Sequence, residues 1–293
     1  MSFTYLAYFL AWKFLGFLSE KRAYGLMDWV ADQITKRNPS AVQRLRSNYL
    51  LVRPDLVEPE LEATVKEGMR SYLRYWCDTF RLPLWSSEEI IQSTTVINDH
   101  LLRDALAAGK GAIVSLPHAG NWDRAGAYYC ETGAPVVTVA EHLEPERLFR
   151  KFLAYRESLG MEVLDASARS LALLSQRLRQ GRLVALVADR DLSRNGVDVT
   201  FFGHPARMPA GPAVLSIKTG APLLTAFVRY IETGIEIHFE PAIEVPLAGT
   251  TQDKVAAMIQ ESASRLEVHL VDHLSDWHML QRIWIDGDFK ERE

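Results

Sequence analysis

The sequence predicts an α/β fold in which a central, mostly parallel or mixed sheet is flanked by helices. From about residue 94 onward, short apolar runs alternate with amphipathic stretches, the pattern of a sheet covered by helices on both faces. Hydrophobic residues make up 48% of the 293-residue chain, which is ample for a sizeable core. We therefore expect a single domain over residues 1–293, with a helical part at 1–90 and an α/β core at 91–293.

The helical part is predicted from apolar residues that recur near the α-helical period of about 3.6 residues. Prolines at positions 39, 54 and 59 divide this part into separate helices. The two clearest series are Leu26, Trp29, Val30 and Ile34, followed by Leu61, Val65, Met69 and Leu73.

The elements of the α/β core follow from the length and the flanks of each apolar run, since short runs bounded by turn residues favour strands. Strands are expected at residues 112–116, 135–140, 161–164, 183–188, 223–228 and 235–239, the last two as a hairpin. Helices are expected after residue 121 and at residues 145–159, 170–180, 212–219 and 252–273, with a polar loop between residues 188 and 212.

The first fifty residues predict an anionic membrane surface as a partner. They carry seven Lys/Arg and three Asp/Glu, a net charge of +4 that leaves −8 on the rest of a chain of net charge −4. Residues 1–18 are aromatic-rich and almost wholly apolar, yet slightly short of the ~20 residues that a spanning helix needs. We expect a helix lying in the membrane interface, with Lys21, Arg22, Lys36 and Arg37 near lipid phosphates. The alternative is a core or dimer-interface helix.

Several function classes lack their sequence motifs. No P-loop, dinucleotide fingerprint or nucleic-acid motif is present, so we expect no nucleic-acid partner. Cys77 and Cys130 are too few for a disulfide framework and fit a reducing compartment. His269 and His273 are four residues apart, but no Glu stands where a His-Glu-x-x-His site requires it, so we expect neither metal nor cofactor.

A histidine and an aspartate five residues apart follow the strand predicted at residues 112–116. They are His118 and Asp123, in the segment Leu-Pro-His-Ala-Gly-Asn-Trp-Asp. If the aspartate fixes the imidazole tautomer, the other ring nitrogen is free to take a proton, which suits general-base catalysis on a hydroxyl. The turn at residues 120–121 is a candidate oxyanion site. Chance often produces this spacing, so an ordinary histidine near a strand end is the alternative.

Two other predicted strands also end in polar residues. Asp189 and Arg190 follow the strand at 183–188, and Glu141 follows the strand at 135–140. In open α/β sheets chemistry gathers where strands end and helices begin, so we expect these side chains to converge near His118. A plain surface ion pair is an equally common role for such residues.

Several longer segments in order carry more information than the His-Asp spacing. They are SYLRYW…FRLPLW (71–85), LPHAGNWD (116–123), VVTVAEHLEPERLFRKFLAYRESLGMEVL (136–164), ADRDLSRNGVDVTFFG (188–203), RMPAGPA (207–213) and DWHML (276–280). Through them the chain resembles the His-x4-Asp glycerolipid acyltransferase superfamily. Within it, the chain is most similar to the bacterial lipid A acyltransferases and their phosphatidylinositol mannoside acyltransferase branch.

The resemblance implies that a fatty acyl chain is transferred from acyl-CoA to the 6-hydroxyl of the inositol-2-linked mannose of a phosphatidylinositol mannoside. It also implies a peripheral enzyme at the cytoplasmic face of the cell membrane. By this resemblance His118 is the general base and Asp123 its orienting partner. Asp189 stands where the family has a glutamate, which keeps the charge but shortens the side chain by one methylene.

Further residues are expected to bind the substrates. Glu141 and Asp189 have carboxylates suited to sugar hydroxyls or to supporting His118, while Arg156, Arg190 and Arg207 suit phosphate or sugar oxygens. By the resemblance, His278 lines the acceptor pocket. For the apolar groove that an acyl chain needs, the candidates are Trp76, Phe80, Leu82, Leu84 and Trp122, each equally suited to a plain core.

Three other functions stay open. A lipid A type acyltransferase would use acyl carrier protein as donor and a different acceptor. An acyl-thioester hydrolase would need a nucleophile, and no Gly-x-Ser-x-Gly elbow is present. A non-catalytic membrane-binding protein would not need polar groups at three strand ends.

Overall fold

A computed structural model describes residues 14–140, 145–166, 169–191, 193 and 195–285. Within these residues, seven strands form one sheet in the order β1-β9-β8-β2-β5-β3-β4, and β6 and β7 form a separate ribbon. Neighbouring strands of the sheet are parallel except β8 and β9, which make an antiparallel hairpin. The predicted α/β class with a mixed sheet is confirmed. The strands are β1 (Thr94–Ile97), β2 (Ala112–Leu116), β3 (Val136–Ala140), β4 (Glu162–Asp165), β5 (Leu183–Val187), β6 (Val197–Phe201), β7 (His204–Met208), β8 (Leu223–Ile231) and β9 (Gly234–Phe239).

Helices flank the sheet, and three long ones precede its first strand. They are α1 (Glu20–Arg37), α2 (Ser40–Val52), α3 (Glu58–Arg81), α4 (Ser87–Gln92), α5 (Asp99–Ala107), α6 (Trp122–Glu131), α7 (Glu146–Ser158), α8 (Ser170–Arg179), α9 (Gly211–Thr219) and α10 (Thr251–Asp272). The helices and strands predicted for the α/β core occur within three residues of their expected ends.

Four elements of the α/β core lie outside the predicted set: β1, α5 and the two strands of the β6–β7 ribbon. The strand β1 has only four residues and lies at the sheet edge, where little apolar sequence is needed. The ribbon replaces part of the expected polar loop. Its turn places Phe202 and Gly203 at positive φ, 48° and 75°, as the commonest two-residue hairpin turn requires.

The N-terminal helices pack into the same core as the sheet. Tyr49 on α2 is fully buried, and its hydroxyl donates to the carbonyl of Trp277 at 3.0 Å. The side-chain amide of Asn48 donates to the carbonyl of Met279 at 2.7 Å. Val65 on α3 belongs to the apolar cluster that reaches the central strands. The helices therefore hold the C-terminal segment against the sheet.

The expected interfacial helix falls mostly on residues 1–13, outside the described residues. In the described part of the chain, no helix combines the length and apolar character needed to cross a membrane.

The register of β2 and β5 determines where the candidate site forms. These strands are adjacent and parallel, and Leu116 at the end of one pairs with Val187 at the end of the other. Two residues beyond each pair member stand His118 and Asp189. Both strands end at the same edge of the sheet, and each of these residues lies two positions beyond the end of its strand. His118 and Asp189 therefore lie side by side.

Candidate active site

His118 and Asp189 form a close pair at the carboxyl edge of the sheet. Nδ1 of His118 lies 2.5 Å from Oδ1 of Asp189, and the His118 backbone N–H donates to Oδ2 at 3.0 Å. The carboxylate accepts a hydrogen bond from Nδ1–H, so the lone pair of Nε2 is free to take a proton from another group. About a third of the His118 side chain is exposed, which leaves this nitrogen accessible to a substrate.

The carboxylate of Asp189 is fully buried but remains the charged form. Oδ2 accepts a third hydrogen bond, from the indole Nε1 of Trp277 at 2.9 Å. Burial opposes ionisation, yet the charge of His118 and the three hydrogen bonds together hold the pKa of Asp189 below its ordinary value. The side chain of Asp189 thus reaches the imidazole, although the resemblance predicts a longer glutamate at this position.

The DWHML segment closes the other side of the site. The backbone N–H of His278 donates to the carbonyl of His118 at 2.7 Å, and that of Gly120 donates to the carbonyl of Asp276 at 2.9 Å. Gly120 has a positive φ of 56°, and an added Cβ would lie 2.5 Å from the carbonyl oxygen of Val228. Glycine is therefore required here. Since its N–H is already bonded, Gly120 does not supply the expected oxyanion donor.

His278 is buried beside His118 and is held neutral. Its Nε2 lies 2.9 Å from the hydroxyl of Ser71, which in turn donates to Asp276 at 2.6 Å. Burial, followed by the charge of His118, lowers the pKa of His278 to about 3. Within the described residues its buried Nδ1 has no hydrogen-bond partner. The ring thus offers a polar atom next to the proposed base without adding a positive charge.

Asp123 does not contact the imidazole as predicted. Its Oδ1 accepts from Nε of Arg156 at 2.8 Å and its Oδ2 accepts from the hydroxyl of Tyr75 at 3.0 Å. Burial opposes the charge on Arg156, but Asp123 raises the pKa of the guanidinium above its ordinary value. The predicted pairing is wrong because Asp123 lies in the first turn of α6, which directs it toward α3 and α7, while Asp189 occupies Nδ1 of His118.

The other predicted site residues have separate positions. Arg190 is half-buried directly after Asp189. Arg207, on β7, pairs with Asp198 at 2.5 Å and donates to the carbonyl of Ser193 at 3.1 Å, and both of these contacts lie in or beside the ribbon. Glu141 lies outside the described residues.

The residues that could bind a metal ion are not the pair His269 and His273 considered in the sequence. Among the described residues, His238, Glu240 and His269 present ligand atoms within 4.8 Å of one another, with no ion present. Nε2 of His269 lies 2.8 Å from Glu240, a contact that also joins α10 to the end of β9. His278 instead bonds Ser71.

An apolar cavity lies between α6 and one face of the sheet. Its lining comes from β9, β8, β2, β5 and β3, together with α5, α6 and α7. The five lining strands span about 19 Å at about 4.8 Å per step, but the cavity itself has a volume of only about 80 Å³. Trp122 lines this cavity, and its ring lies 5.5 Å from that of His118, so one part of the cavity borders the site. Asp123 and Arg156 are its charged lining residues.

The apolar lining differs from the groove expected from sequence. Of the five candidates, Trp122 contributes, whereas Trp76, Phe80, Leu82 and Leu84 are not among the lining residues, and Leu84 is 64% exposed. The actual lining comes largely from alternate residues of buried strands, such as Val114 and Leu116 on β2. In sequence such positions cannot be told from ordinary core.

Comparison with known sequences identifies the family to which this site belongs. The sequence model of the bacterial lipid A biosynthesis acyltransferase family matches residues 1–285. The chain belongs to this family. The protein is accordingly an acyltransferase, and the family resemblance predicted from the segments around His118 and Trp277 is confirmed.

Similar proteins within the lipid A biosynthesis acyltransferase family carry a more specific name. The chain is 38% identical over 294 residues to a phosphatidylinositol mannoside acyltransferase of Mycolicibacterium smegmatis, covering 99% of this chain and 94% of that protein. It is 40% identical over 286 residues to a phosphatidylinositol mannoside acyltransferase of Mycobacterium tuberculosis, covering 95% of this chain and 88% of that protein.

The lowered pKa of Asp189 predicts how Asp189→Asn changes stability with pH. An acid whose pKa is lowered by folding contributes stability above its unfolded pKa of about 3.9 and loses it as pH falls further. Near pH 7 we expect the variant to be less stable by about 2 kcal/mol, since hydrogen bonds to a charged group are lost. That difference should shrink below about pH 4, when measured by urea unfolding between pH 3 and 7.

Asp104→Asn is the matched control, because Asp104 is exposed on α5. Its effect should stay within about 0.5 kcal/mol throughout. A wild-type advantage over Asp189→Asn that is the same at pH 3 and pH 7 would contradict the prediction.

Proposed function

We propose that the protein transfers a long-chain fatty acyl group from acyl-CoA to the 6-hydroxyl of the inositol-2-linked mannose of phosphatidylinositol mannosides. The observation that carries this proposal is the His118–Asp189 pair, in a chain 38–40% identical over most of its length to relatives named for this acceptor. The apolar lining of the cavity beside His118 supports an acyl donor, whose chain enlarges this cavity of about 80 Å³ when it binds.

His118 acts as the general base in this proposal. Its Nδ1–H stays hydrogen-bonded to Asp189, which fixes the tautomer, and Nε2 takes the proton of the mannose hydroxyl. The hydroxyl oxygen attacks the thioester carbonyl carbon, and the carbon–sulfur bond then breaks. The proton on Nε2 passes to the leaving thiolate. The products are the acylated mannoside and free CoA, and the histidine returns to its starting state.

Asp123 has a positioning role in this proposal. With Arg156 and Tyr75 it ties the first turn of α6 to α7 and α3 at the polar end of the apolar cavity. That turn carries Trp122, whose ring contacts His118. A shift of α6 would therefore move the entrance to the acyl-chain site.

The remaining predicted residues serve the acceptor side. His278, neutral and adjacent to His118, lines the acceptor pocket. Glu141 and Arg190, which follow neighbouring strands, bind acceptor hydroxyls or phosphate. A phosphate contact for Arg207 stays a prediction, because that contact competes with its bonds to Asp198 and Ser193.

The apolar cavity takes the acyl chain, which lies against the sheet beneath α6. Side chains from successive strands line it, so its length sets the longest chain that fits. Alternate residues of one strand face opposite sides of the sheet. On β5, Ala185 lines the cavity, whereas Leu186 packs with the apolar cluster that includes α10.

The membrane partner is supported by an exposed apolar group near the start of the described chain. Phe14, Phe17 and Leu84 are 56%, 88% and 64% exposed, and Gly16 lies beside Leu84. Arg81 fixes this region by donating to two backbone carbonyls, those of residues 15 and 18. Exposed basic residues follow on α1 (Lys21, Arg22, Lys36 and Arg37). Such a surface suits peripheral binding to anionic lipid at the cytoplasmic face.

The direct test supplies labelled palmitoyl-CoA with a panel of phosphatidylinositol mannosides. We expect wild type to acylate them, His118→Ala to lose about 10²–10⁴ in rate and Asp189→Asn about as much, since each removes the base or its tautomer. His204→Ala, which alters a histidine on β7, is the control. Absence of an acylated mannoside with wild type would overturn the proposal, and full activity in His118→Ala would overturn the mechanism.

The same assay distinguishes the second candidate function. The family's description as lipid A biosynthesis acyltransferases supports a panel that includes acyl carrier protein donors and lipid A precursors. Transfer from acyl carrier protein to a lipid A precursor alone would favour that candidate. Release of free fatty acid without any acylated lipid would favour a hydrolase.

Acyl-chain selectivity provides a second test. We expect Ala185→Phe to shorten the cavity and reduce the rate with palmitoyl-CoA at least tenfold relative to octanoyl-CoA, because each unaccommodated methylene costs about 1–3 kcal/mol. Leu186→Phe adds bulk at the next residue on the other face and should leave the ratio unchanged. An unchanged ratio in Ala185→Phe, with the fold intact by circular dichroism, would place the chain elsewhere.

Membrane binding is tested by placing a charge on the exposed apolar group. We expect Phe17→Glu to weaken binding to anionic liposomes in flotation assays at least threefold, since it removes an apolar contact and adds repulsion. Leu247→Glu alters a residue that is 99% exposed in the loop before α10 and should bind like wild type. Equal binding by all three proteins would remove this surface from the proposal.

A further inference from the structure

A second, polar cavity of about 1060 Å³ opens on α1, α3, α4 and the turn between β8 and β9. We call it the arginine cavity. It is also lined by Ser71 and Asp276. The hydroxyl of Ser71 is hydrogen-bonded both to Asp276 and to His278, which lies beside the base. It is therefore next to the active site but separate from the apolar cavity. Its defining residues are Tyr24, Asp28, Arg74, Arg124, Tyr230 and Glu232.

Two arginines at this cavity have incomplete hydrogen bonding. Arg124 is 3% exposed, stacks over Trp85 at 4.6 Å and donates to the carbonyl of Ser93. Arg74 lies over the ring of Tyr230 at 4.1 Å. Among the described residues, the buried Nε atoms of both arginines have no hydrogen-bond partner. These Nε atoms are covered by protein, so a ligand in the cavity would meet the terminal nitrogens of the guanidinium groups instead.

The nearby carboxylate does not satisfy both charges. Asp78 is fully buried and accepts hydrogen bonds from Tyr24 at 2.7 Å, Tyr230 at 3.1 Å and Asn121 at 3.2 Å. The guanidinium of Arg124 stays 3.9 Å away from it. One carboxylate, whose oxygens are occupied by neutral donors, faces two guanidinium groups. Asp276 adds a second, largely buried carboxylate to the lining, so the cavity has no overall excess of positive charge. The guanidinium groups of Arg74 and Arg124 are the places in it that suit an anion.

The rim has the opposite character. Asp28, Glu67 and Glu232 present carboxylates to the cavity. A bare anion would be repelled by this rim, whereas carboxylates accept hydrogen bonds from hydroxyl groups. Aromatic rings at the floor and the mixed polar walls are features that suit a hydroxylated ring.

We propose that the arginine cavity binds a phosphorylated polyol, with its phosphate at Arg74 and Arg124 and its ring hydroxyls at the acidic rim. Arginine matches phosphate geometry through two parallel N–H bonds. Two substrates carry this chemistry: the phosphoinositol headgroup of the lipid acceptor and the ribose phosphate of CoA. We assign the cavity to the acceptor headgroup, because Ser71 in its wall is hydrogen-bonded to His278, which lies beside the base. That assignment rests on the proposed function; the binding chemistry itself does not.

The test is calorimetric titration of the full chain with glycerophosphoinositol, CoA and myo-inositol. We expect glycerophosphoinositol to bind wild type and myo-inositol to bind at least tenfold more weakly. Arg74→Gln should weaken glycerophosphoinositol at least tenfold, and Glu232→Gln about threefold. Arg150→Gln, which alters an exposed arginine on α7, should bind like wild type.

The variants keep the result interpretable. Because Arg74 is partly buried, the stability of Arg74→Gln is checked by urea unfolding. Glu232 and Asp28 lie on the rim, so Glu232→Gln and Asp28→Asn provide the test if Arg74→Gln does not fold. Binding that depends on these residues with CoA but not with glycerophosphoinositol would move the site to the donor and overturn the acceptor assignment. Failure of both ligands, or binding equal in all variants, would overturn the site.

His118→Ala separates this inference from the proposed function. It should bind glycerophosphoinositol like wild type while losing acyl transfer. If wild type binds the headgroup through Arg74 but acylates no mannoside, the proposed function fails and the arginine cavity stands. If mannosides are acylated while wild type and Arg74→Gln bind the headgroup equally, the headgroup site is wrong and the proposed function stands.

Discussion

Asp189 is a fully buried carboxylate, and such a group costs several kcal/mol unless nearby charges and donors replace water. Here the replacements come from two separate parts of the chain: the turn after β2 supplies two N–H groups from His118, and the C-terminal segment supplies the indole of Trp277. Losing either part would remove one or two of the three hydrogen bonds to this charge. The end of β5, the turn after β2 and the C-terminal segment are thus held together by one carboxylate.

The support of Asp189 also explains why the DWHML segment is held so firmly. Trp277 is fully buried, its carbonyl accepts from Tyr49, and the adjoining Met279 carbonyl accepts from Asn48. The N-terminal helices therefore position the indole that in turn contacts the carboxylate. One of these helices, α2, therefore contributes to the active site through the backbone of another segment.

Sequence patterns predicted six of the seven strands of the main sheet and the importance of His118, because periodicity and strand-end position are local properties. The partner of its ring depends on strand order, which is not local. Asp123 is close in sequence, but the first turn of α6 directs it to Arg156; Asp189 is 71 residues away and arrives because β5 lies beside β2. Polar residues at two strand ends were the available signal. The adjacency of the strands was the missing information.

The equal two-residue overhang of His118 and Asp189 beyond paired strand ends has a consequence for how this chain tolerates changes in length. One residue inserted within β2 or β5 would move one partner by about 3.3 Å along the strand and turn the following side chains to the opposite face. Insertions in the connections before these strands would leave their ends in place. Natural or engineered length variation should therefore collect in those connections, while the two strands keep a fixed count of residues.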